Sequence, residues 1–369
     1  MKPEPAYRVD GRNVDANSLA LIGTQWQALE QQGNKNFFLS WPWIETWLTT
    51  IKPAATCITA YAGDQVVAMG LVVASRQRRH KILFSRALHL HQTGLKDEDQ
   101  IWIEYDDFLI DDAHRAAVYP ALMDFLYRDI PDWDEFIVGL AEPETLEAMQ
   151  SNGLIHHMIW EEPTYSVNLA TLRETGEPFL NSLSSNTRSQ IRRAQKKWQK
   201  LGDVQLTRPQ TTDEAMTCFE AMADFHHQRW GDDSSGFANP KFLAFHRQLI
   251  QRYWQAGYVD LVSVSAGEQV IAHLYFFVYK NQASFYLSAI DFDIKAAPKP
   301  GLVAHALCIE DYLGRGELLY DFMGGEYQYK RSLSNQSGSL ACVSLQKPKF
   351  RFRLELFARR LQRRMKKTA

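Results

Sequence analysis

The chain has 369 residues, 45% of them hydrophobic and 12% aromatic, enough to bury cores for two globular domains. A net charge of −2 and a pI near 6.6 exclude a generally basic nucleic-acid protein, although basic residues crowd into two stretches. Cys57, Cys218, Cys308 and Cys342 stand far apart with no CxxC spacing, as expected of buried thiols in a reducing compartment. The N-terminus is polar and no run approaches the ~20 apolar residues of a membrane span, so a cytoplasmic protein is expected.

Residues 1–33 read as an arm followed by a helix around Leu19–Gln32. Trp41–Thr50 sets Trp41, Trp43, Ile44, Trp47 and Leu48 at helical spacing behind Pro42, an aromatic stripe that belongs in a core. Thr56–Ala74 reads as a hairpin turning at Ala62-Gly63-Asp64-Gln65. A strand over Ile101–Ile110, a helix over Ala113–Arg128 and a strand over Phe136–Leu140 follow. Leu154–Asn168 reads as strands parted by a turn at Glu161-Glu162-Pro163, and Leu169–Gly176 as a polar connection between domains.

The helix Thr187–Lys200, capped by Ser184, Ser185 or Asn186, carries Arg188, Arg192, Arg193, Lys196, Lys197 and Lys200 opposite Ile191, Ala194 and Trp198. With no acidic i,i+4 partner these cations repel one another unless an anion is near; a solvated face is the plainer reading. Thr211-Thr212-Asp213-Glu214 is a capping box for the helix to Trp230, and Asn239-Pro240 starts another that ends near Gly257. Tyr258–Ser265, Val270–Tyr279 and Ala283–Ile290 form a meander. The loop Lys295–Gly301 then leads into the helix Leu302–Leu313 and the strand Leu318–Phe322. In Lys347–Ala369, Phe350, Leu354, Phe357, Leu361 and Met365 share one helical face among lysines and arginines opposed only by Glu355. Such a tail either touches an anionic membrane surface or tRNA, or docks on the body with its outer face solvated.

The chain repeats itself. AGDQVVA (Ala62–Ala68) and AGEQVIA (Ala266–Ala272) are near-copies between β-rich runs, and a strand, a helix and a strand follow each in the same order. The expected architecture is α/β with mixed sheets in two tandem units, 1–170 and 171–346, followed by a basic tail, 347–369. The copies differ at the start of the helix. The first presents Asp111-Asp112, which cap a helix and repel a diphosphate; the second presents Lys295, Lys299 and Gly301 before Leu302. Free N–H groups, the helix dipole and a glycine that admits close approach suit an anionic cofactor there, so only the second copy is expected to bind one.

IDFDIKAAPKPGLVAHALCIEDYL (Ile290–Leu313) followed by YDFMGGEYQYKR (Tyr320–Arg331) resembles the second half of the GNAT-like acyltransferases of the CelD type, relatives of the Fem-type peptidyl transferases. The resemblance extends to HHQRW (His226–Trp230), to SNTRSQIRRAQKKWQK (Ser185–Lys200) and to NFFLSWPWIETWL (Asn36–Leu48). Lys299, Gly324 and Leu333 depart from it, standing where a small polar residue, a basic residue and a tryptophan are expected. It implies two GNAT-like units, acetyl-CoA or a longer acyl-CoA as co-substrate, and an amine acceptor such as a sugar nucleotide or envelope polysaccharide precursor. A Fem-like transferase drawing on aminoacyl-tRNA, and a non-catalytic module in polysaccharide synthesis, are the alternatives.

Acyl transfer from a thioester to an amine needs a base for the ammonium, polarisation of the carbonyl and a proton for the departing thiolate. The family meets the second need with a backbone N–H where two parallel strands splay, here Ala283–Ile290 and Leu318–Phe322. No GxSxG elbow or Cys/His pairing calls for a covalent intermediate. Glu326 is the first candidate base, then Asp291 and His226; Tyr329 is the first candidate acid, then Tyr286. Arg188, Arg192, Arg193, Arg229 and Lys330 are candidates to hold the acceptor or its phosphates. His305 reads as a core histidine. No histidine spacing is zinc-like, so no metal is expected.

Overall fold

The computed structural model describes residues 7–33, 35–79, 83–150, 153–230, 236–353 and 355. The chain opens with β1 (Tyr7–Asn13), α1 (Leu19–Gly33), α2 (Trp41–Thr50), β2 (Ala55–Ala62), β3 (Gln65–Arg79) and β4 (Leu83–Leu90). It continues with β5 (Leu109–Ile110), α3 (Arg115–Arg128), β6 (Glu135–Ala141), α4 (Pro143–Ala148) and β7 (Ile155–Asn168). Next come α5 (Leu169–Thr175), α6 (Phe179–Ser182), α7 (Ser185–Trp198), β8 (Val204–Thr207), α8 (Thr212–Trp230) and α9 (Pro240–Tyr253). The last part holds β9 (Val259–Ala266), β10 (Gln269–Tyr279), β11 (Gln282–Ile290), α10 (Pro300–Arg315), β12 (Leu319–Gly324), α11 (Gln328–Leu333) and β13 (Gln336–Gln346).

Two compact units result. One gathers the described residues of 1–34, 53–161 and 340–369; the other gathers 35–52 and those of 162–339. In the first the strand order is β1-β2-β3-β4-β6-β13, with β5 beside β3. The strands β1 to β4 are antiparallel neighbours, β6 runs parallel to β4, and β13 returns antiparallel to β6. Val118, Tyr119, Leu122 and Leu126 of α3 pack over Ile58, Val72 and Phe136. In the second unit the order is β7-β12-β11-β10-β9-β8, with β12 parallel to β11 and antiparallel to β7. One face of this sheet is covered by α7 and α10 through Ile191, Trp198, Val303 and Ile309. On the other, Phe37 stacks on Phe277 at 4.5 Å and Trp43 meets Phe245 at 4.7 Å and Phe277 at 5.5 Å.

That aromatic face explains the first departure from sequence order. The stripe Trp41–Leu48 is core, and it belongs to the second unit, because its partners Phe245 and Phe277 lie there. Ile101–Ile110 is not the third strand. That strand is β4; within 101–110 only Leu109–Ile110 forms a strand, with Glu104 in an isolated bridge to Leu140, and Trp102 and Tyr105 at φ +55° turn the chain. No turn interrupts β7 at Glu161-Glu162-Pro163; Pro163 has no N–H to give, and its carbonyl accepts from Gly325 at 3.0 Å. The expected connection Leu169–Gly176 is instead the helix α5 (Leu169–Thr175), capped by Asn168 and closed by Gly176 at φ +67°, with Leu169 and Leu172 buried.

Of the basic tail, residues 347–353 and Glu355 are described. Lys349 and Arg351 pair with Asp134, and Phe352 is buried within the first unit. Leu354, Phe357, Leu361, Met365 and the proposed membrane-facing surface lie outside the described residues. Among the described residues no helix is long and apolar enough to cross a membrane.

Candidate functional site

In the second unit β11 and β12 pair only at Gln282/Leu319, Ala283/Tyr320 and Ser284/Asp321. Beyond these pairs β11 continues alongside β10 to Ile290, while β12 bends away. The Asp321 carboxylate accepts the Met323 N–H at 2.8 Å, Met323 sits at φ +61° and Gly325 at +116°. A gap between parallel strands follows, lined on the β11 side by backbone that β12 no longer pairs.

Near Ile290, at the end of β11, starts α10. Lys299 is its N-cap at φ +56°, with no side-chain cap; Pro300 and Gly301 follow, and the first turn carries no acid. The N–H groups of Gly301 and Leu302 are therefore left for a ligand, and the dipole favours an anion. Only the Ile290 methyl, 3.3 Å away, stands near the place a Gly301 side chain would occupy. Lys295 and Lys299 are exposed. Trp198 fixes this loop, its indole N–H donating to the Pro298 carbonyl at 3.2 Å. The sequence marked Trp198 only as the apolar side of a basic helix; that spacing announces burial, not the partner.

On the opposite face α8 brings His226 to β11. His226 Nε2 lies 2.9 Å from the Ser288 carbonyl, four residues past the last β12 pair. A carbonyl only accepts, so Nε2 carries the hydrogen and Nδ1 is the basic nitrogen. Nδ1 is buried with no hydrogen-bond partner, and burial holds the imidazole below its ordinary pKa, hence neutral near pH 7. Asp291 follows the end of β11, its carboxylate accepting the Asp293 N–H at 2.8 Å. Arg229 stacks over Phe292 at 4.7 Å. His226, Arg229 and Asp291 thus gather at the end of β11. Tyr286 faces α2 and α9, its ring 4.8 Å from Phe277 and 5.1 Å from His246.

The remaining candidates lie around α11. Tyr329 stacks on His305 at 5.1 Å, and its hydroxyl has no partner among the described residues; burial raises its pKa, so it stays protonated. His305 bonds the Tyr320 hydroxyl at 2.7 Å and burial lowers it to about 3. Glu326 is over half exposed, pairs with Arg331, and lies 3.4 Å from the Tyr165 hydroxyl. Lys330 is buried, with its ammonium donating to the Gly324 carbonyl, so it braces the Met323–Gly325 bend rather than offering a free cation. On α7 the half-buried Arg188 holds the Asn181 carbonyl at 3.1 Å and Arg193 the Ser189 carbonyl at 3.3 Å, while Arg192 is exposed. The N-cap of α7 is Ser184.

Residues 185–331 match the family model described as acetyltransferase (GNAT) domain. Among solved structures, FemX is similar at a TM-score of 0.56 and 11% identity over 90% of this chain and 96% of that one. L-PGS from Bacillus licheniformis is similar at 0.55 and 11%, covering 95% and 98%. A conserved protein of unknown function from Bacteroides thetaiotaomicron is similar at 0.53 and 12%, covering 92% and 100%. At these identities the likeness is one of fold. No curated protein sequence matches the chain.

Proposed function

We propose that this chain, a tandem GNAT-fold protein with an acetyltransferase domain over residues 185–331, transfers an acyl group from acyl-CoA to an amine. The observation that carries the reading is the acid-free N-terminus of α10 beside the gap between β11 and β12. There the diphosphate of CoA meets the N–H groups of Gly301 and Leu302, with Lys295 and Lys299 nearby. The thioester reaches into the gap, where backbone N–H groups of β11 polarise its carbonyl. The amine arrives from the α8 face and loses its proton to His226 Nδ1, for which the fixed tautomer and neutral state are suited. The Tyr329 hydroxyl returns a proton to the departing thiolate. Glu326, tied to Arg331 and Tyr165 in the open, serves the loop.

The resemblance to CelD-type proteins suggests a sugar nucleotide or polysaccharide precursor as acceptor. A second donor has one observation in its favour: Arg192, Arg193, Lys196 and Lys197 lie exposed on α7, whose first turn carries no acid. That surface suits aminoacyl-tRNA, in keeping with the Fem-type resemblance. Thermal unfolding with acetyl-CoA, longer acyl-CoAs, free CoA and aminoacyl-tRNA decides between them. Stabilisation by the CoA ligands supports the acyl-CoA reading. Stabilisation by charged tRNA alone, lost steeply with salt, replaces it with the tRNA reading; no response to any ligand leaves a non-catalytic module.

A further inference from the structure

The first unit holds a cavity that donor chemistry does not use. It measures about 460 Å³ and lies between the 92–103 loop and the strands β3, β4, β6, β7 and β13. Two indoles, Trp102 and Trp160, stand at its rim with ring centroids 5.5 Å apart and planes inclined at 46°. Trp102 is 46% exposed, unusual for so large an apolar group, and its backbone sits at φ +55°. Nearby, His91 at φ +47°, Gly94 at +77° and Tyr105 at +55° leave the same loop in rarely populated conformations, a feature that clusters at ligand sites.

The loop is built to hold that shape. Asp99 accepts the N–H groups of Thr93 and Gly94, each at 2.7 Å, and the Thr93 hydroxyl at 3.0 Å. Gln77 donates to the Gly94 carbonyl at 2.9 Å, and no side chain fits at Gly94, where a Cβ would lie 2.4 Å from Gln77 and His89. The cavity wall therefore carries amides and one cation, Gln77, Gln92, Gln100 and Lys96, while its one carboxylate is consumed by the loop. The Gln92 amide and the Lys96 ammonium have no partner among the described residues.

This combination selects a ligand class. A quaternary ammonium would want an unengaged acid beside the indoles, and Lys96 repels it. A multiply charged phosphate finds a single lysine. A neutral sugar ring fits both halves: its C–H faces lie on the electron-rich indole faces, and its hydroxyls find amide donors and acceptors. We propose that this cavity of the first unit binds a neutral pyranose of a glycan, with Trp102 and Trp160 as stacking surfaces and Gln92 and Lys96 reading hydroxyls. The inference stands on this cavity alone and is independent of which acyl donor the second unit takes.

Calorimetric titration of the full chain with cellotetraose, maltotetraose and N-acetylchitotetraose tests it. At least one tetrasaccharide binds saturably, Trp102→Ala weakens it ~10-fold, as loss of a stacking surface does, and Gln92→Ala weakens it a few-fold. Trp102 is half exposed, but its indole N–H bonds the buried Glu104 at 3.1 Å, so the unfolding curve checks that the fold holds, and Gln92→Ala, which breaks no hydrogen bond among the described residues, carries the test if it does not. CoA is titrated into the same samples and reports separately on the second unit. No heat from any of the three sugars at ~10 mM, a concentration that reveals even millimolar affinity, overturns the proposal. So does undiminished binding in Trp102→Ala, or binding of tetramethylammonium in place of the sugars.

Discussion

Both units part a pair of parallel strands after three residue pairs, β4 from β6 in the first and β11 from β12 in the second. In the first unit the chain itself crosses the opening and covers part of it, leaving the Trp102–Trp160 cavity alongside. The stretch 91–114 between strand and helix folds back: Glu104 bridges Leu140, the Asp106 N–H reaches the Leu140 carbonyl at 2.9 Å, and the Asp106 carboxylate takes the Gly139 N–H at 2.9 Å. In the turn before α3, whose own first turn carries no acid, Asp111 accepts the Ala113 N–H, and the buried Asp107 binds Arg115, Tyr119 and Thr145. The corresponding stretch of the second unit, 291–299, is too short to fold back. One opening is thus crossed by a long stretch of its own chain carrying Asp106 and Asp107, and the other is not. Their histidines differ in the same way. His91 is bonded at both nitrogens, to Asp106 at 2.9 Å and to the Leu71 N–H at 3.1 Å, whereas His226 keeps a basic nitrogen without a partner.

The largest effect expected from this contrast is on turnover. His226→Gln keeps a donor for the Ser288 carbonyl and removes the basic nitrogen, so kcat should fall ~10²–10⁴-fold, the usual value of a positioned base. His91→Gln in the first unit should instead cost stability, ~1–3 kcal/mol because one amide cannot meet both the Asp106 oxygen and the Leu71 N–H that the imidazole bonds, with kcat changed only a few-fold. Steady-state rates and denaturant midpoints read both, and similar rates for His226→Gln and the parent would remove His226 as base. Glu326→Gln is the control: a drop in kcat as large as that of His226→Gln would return the role to Glu326.

Ligand binding comes next. Gly301→Asp places an acid in the first turn of α10, which has none. An acid in a first helical turn suits the dipole, and Ile290 is the one near neighbour, so the fold should hold. The ~2.7 kcal/mol of stabilisation expected at a hundredfold excess of CoA over its Kd should vanish. A mutant stabilised as well as the parent shows that the diphosphate sits elsewhere.

Packing makes a third contrast. A Cβ at Gly33, the end of α1 in the first unit, would lie 1.6 Å from the Ile110 carbonyl oxygen, so Gly33→Ala must displace backbone and should cost roughly 3 kcal/mol. Gly301→Ala should be neutral or gain about 0.5 kcal/mol from reduced freedom of the unfolded chain. Equal costs in urea titrations would mean that the α10 entrance is as tightly filled as its counterpart.

The duplication was legible because a tight turn constrains its residues. AGDQVVA and AGEQVIA both mark hairpins, with Gly63 at φ +61° and Gly267 at +57°. The acid-free start of α10 was legible for the same reason, whereas the cap expected from Asp111-Asp112 is not formed: α3 starts later, at Arg115, behind His114, with no side-chain cap and no acid in its first turn. What crosses the first opening was not legible. Ile101–Ile110 has the apolar content of a strand, and only long-range bonds from Asp106 and Asp107 reveal it as the crossing stretch. The exchange of 35–52 was equally hidden, because an aromatic stripe announces burial but not the sheet it is buried against. Among site residues, the helix start could be read locally; the bond of His226 to Ser288 joins residues far apart in sequence and could not.

The smallest effect separates the units by acid. His246 and His305 of the second unit are buried and held at about 3, and His226 and His273 are lowered as well; the first unit has His89 at about 4 and a lowered His156. A histidine whose folded pKa is depressed takes up protons on unfolding, so its stability contribution, full above ~6.5, falls as pH drops toward the folded value. Burial pushes Asp106 of the first unit the other way: its folded carboxyl binds a proton more readily than the unfolded one, which favours the fold as pH falls below the raised value. The second unit should therefore lose on the order of 1 kcal/mol more than the first between pH 7 and 5.5. Segment-resolved hydrogen exchange, corrected for the intrinsic rate at each pH, would show protection failing first in β10, β11 and α10. Protection failing first in β4 and β6 would mean that the histidines of the second unit are not the groups that set its acid stability.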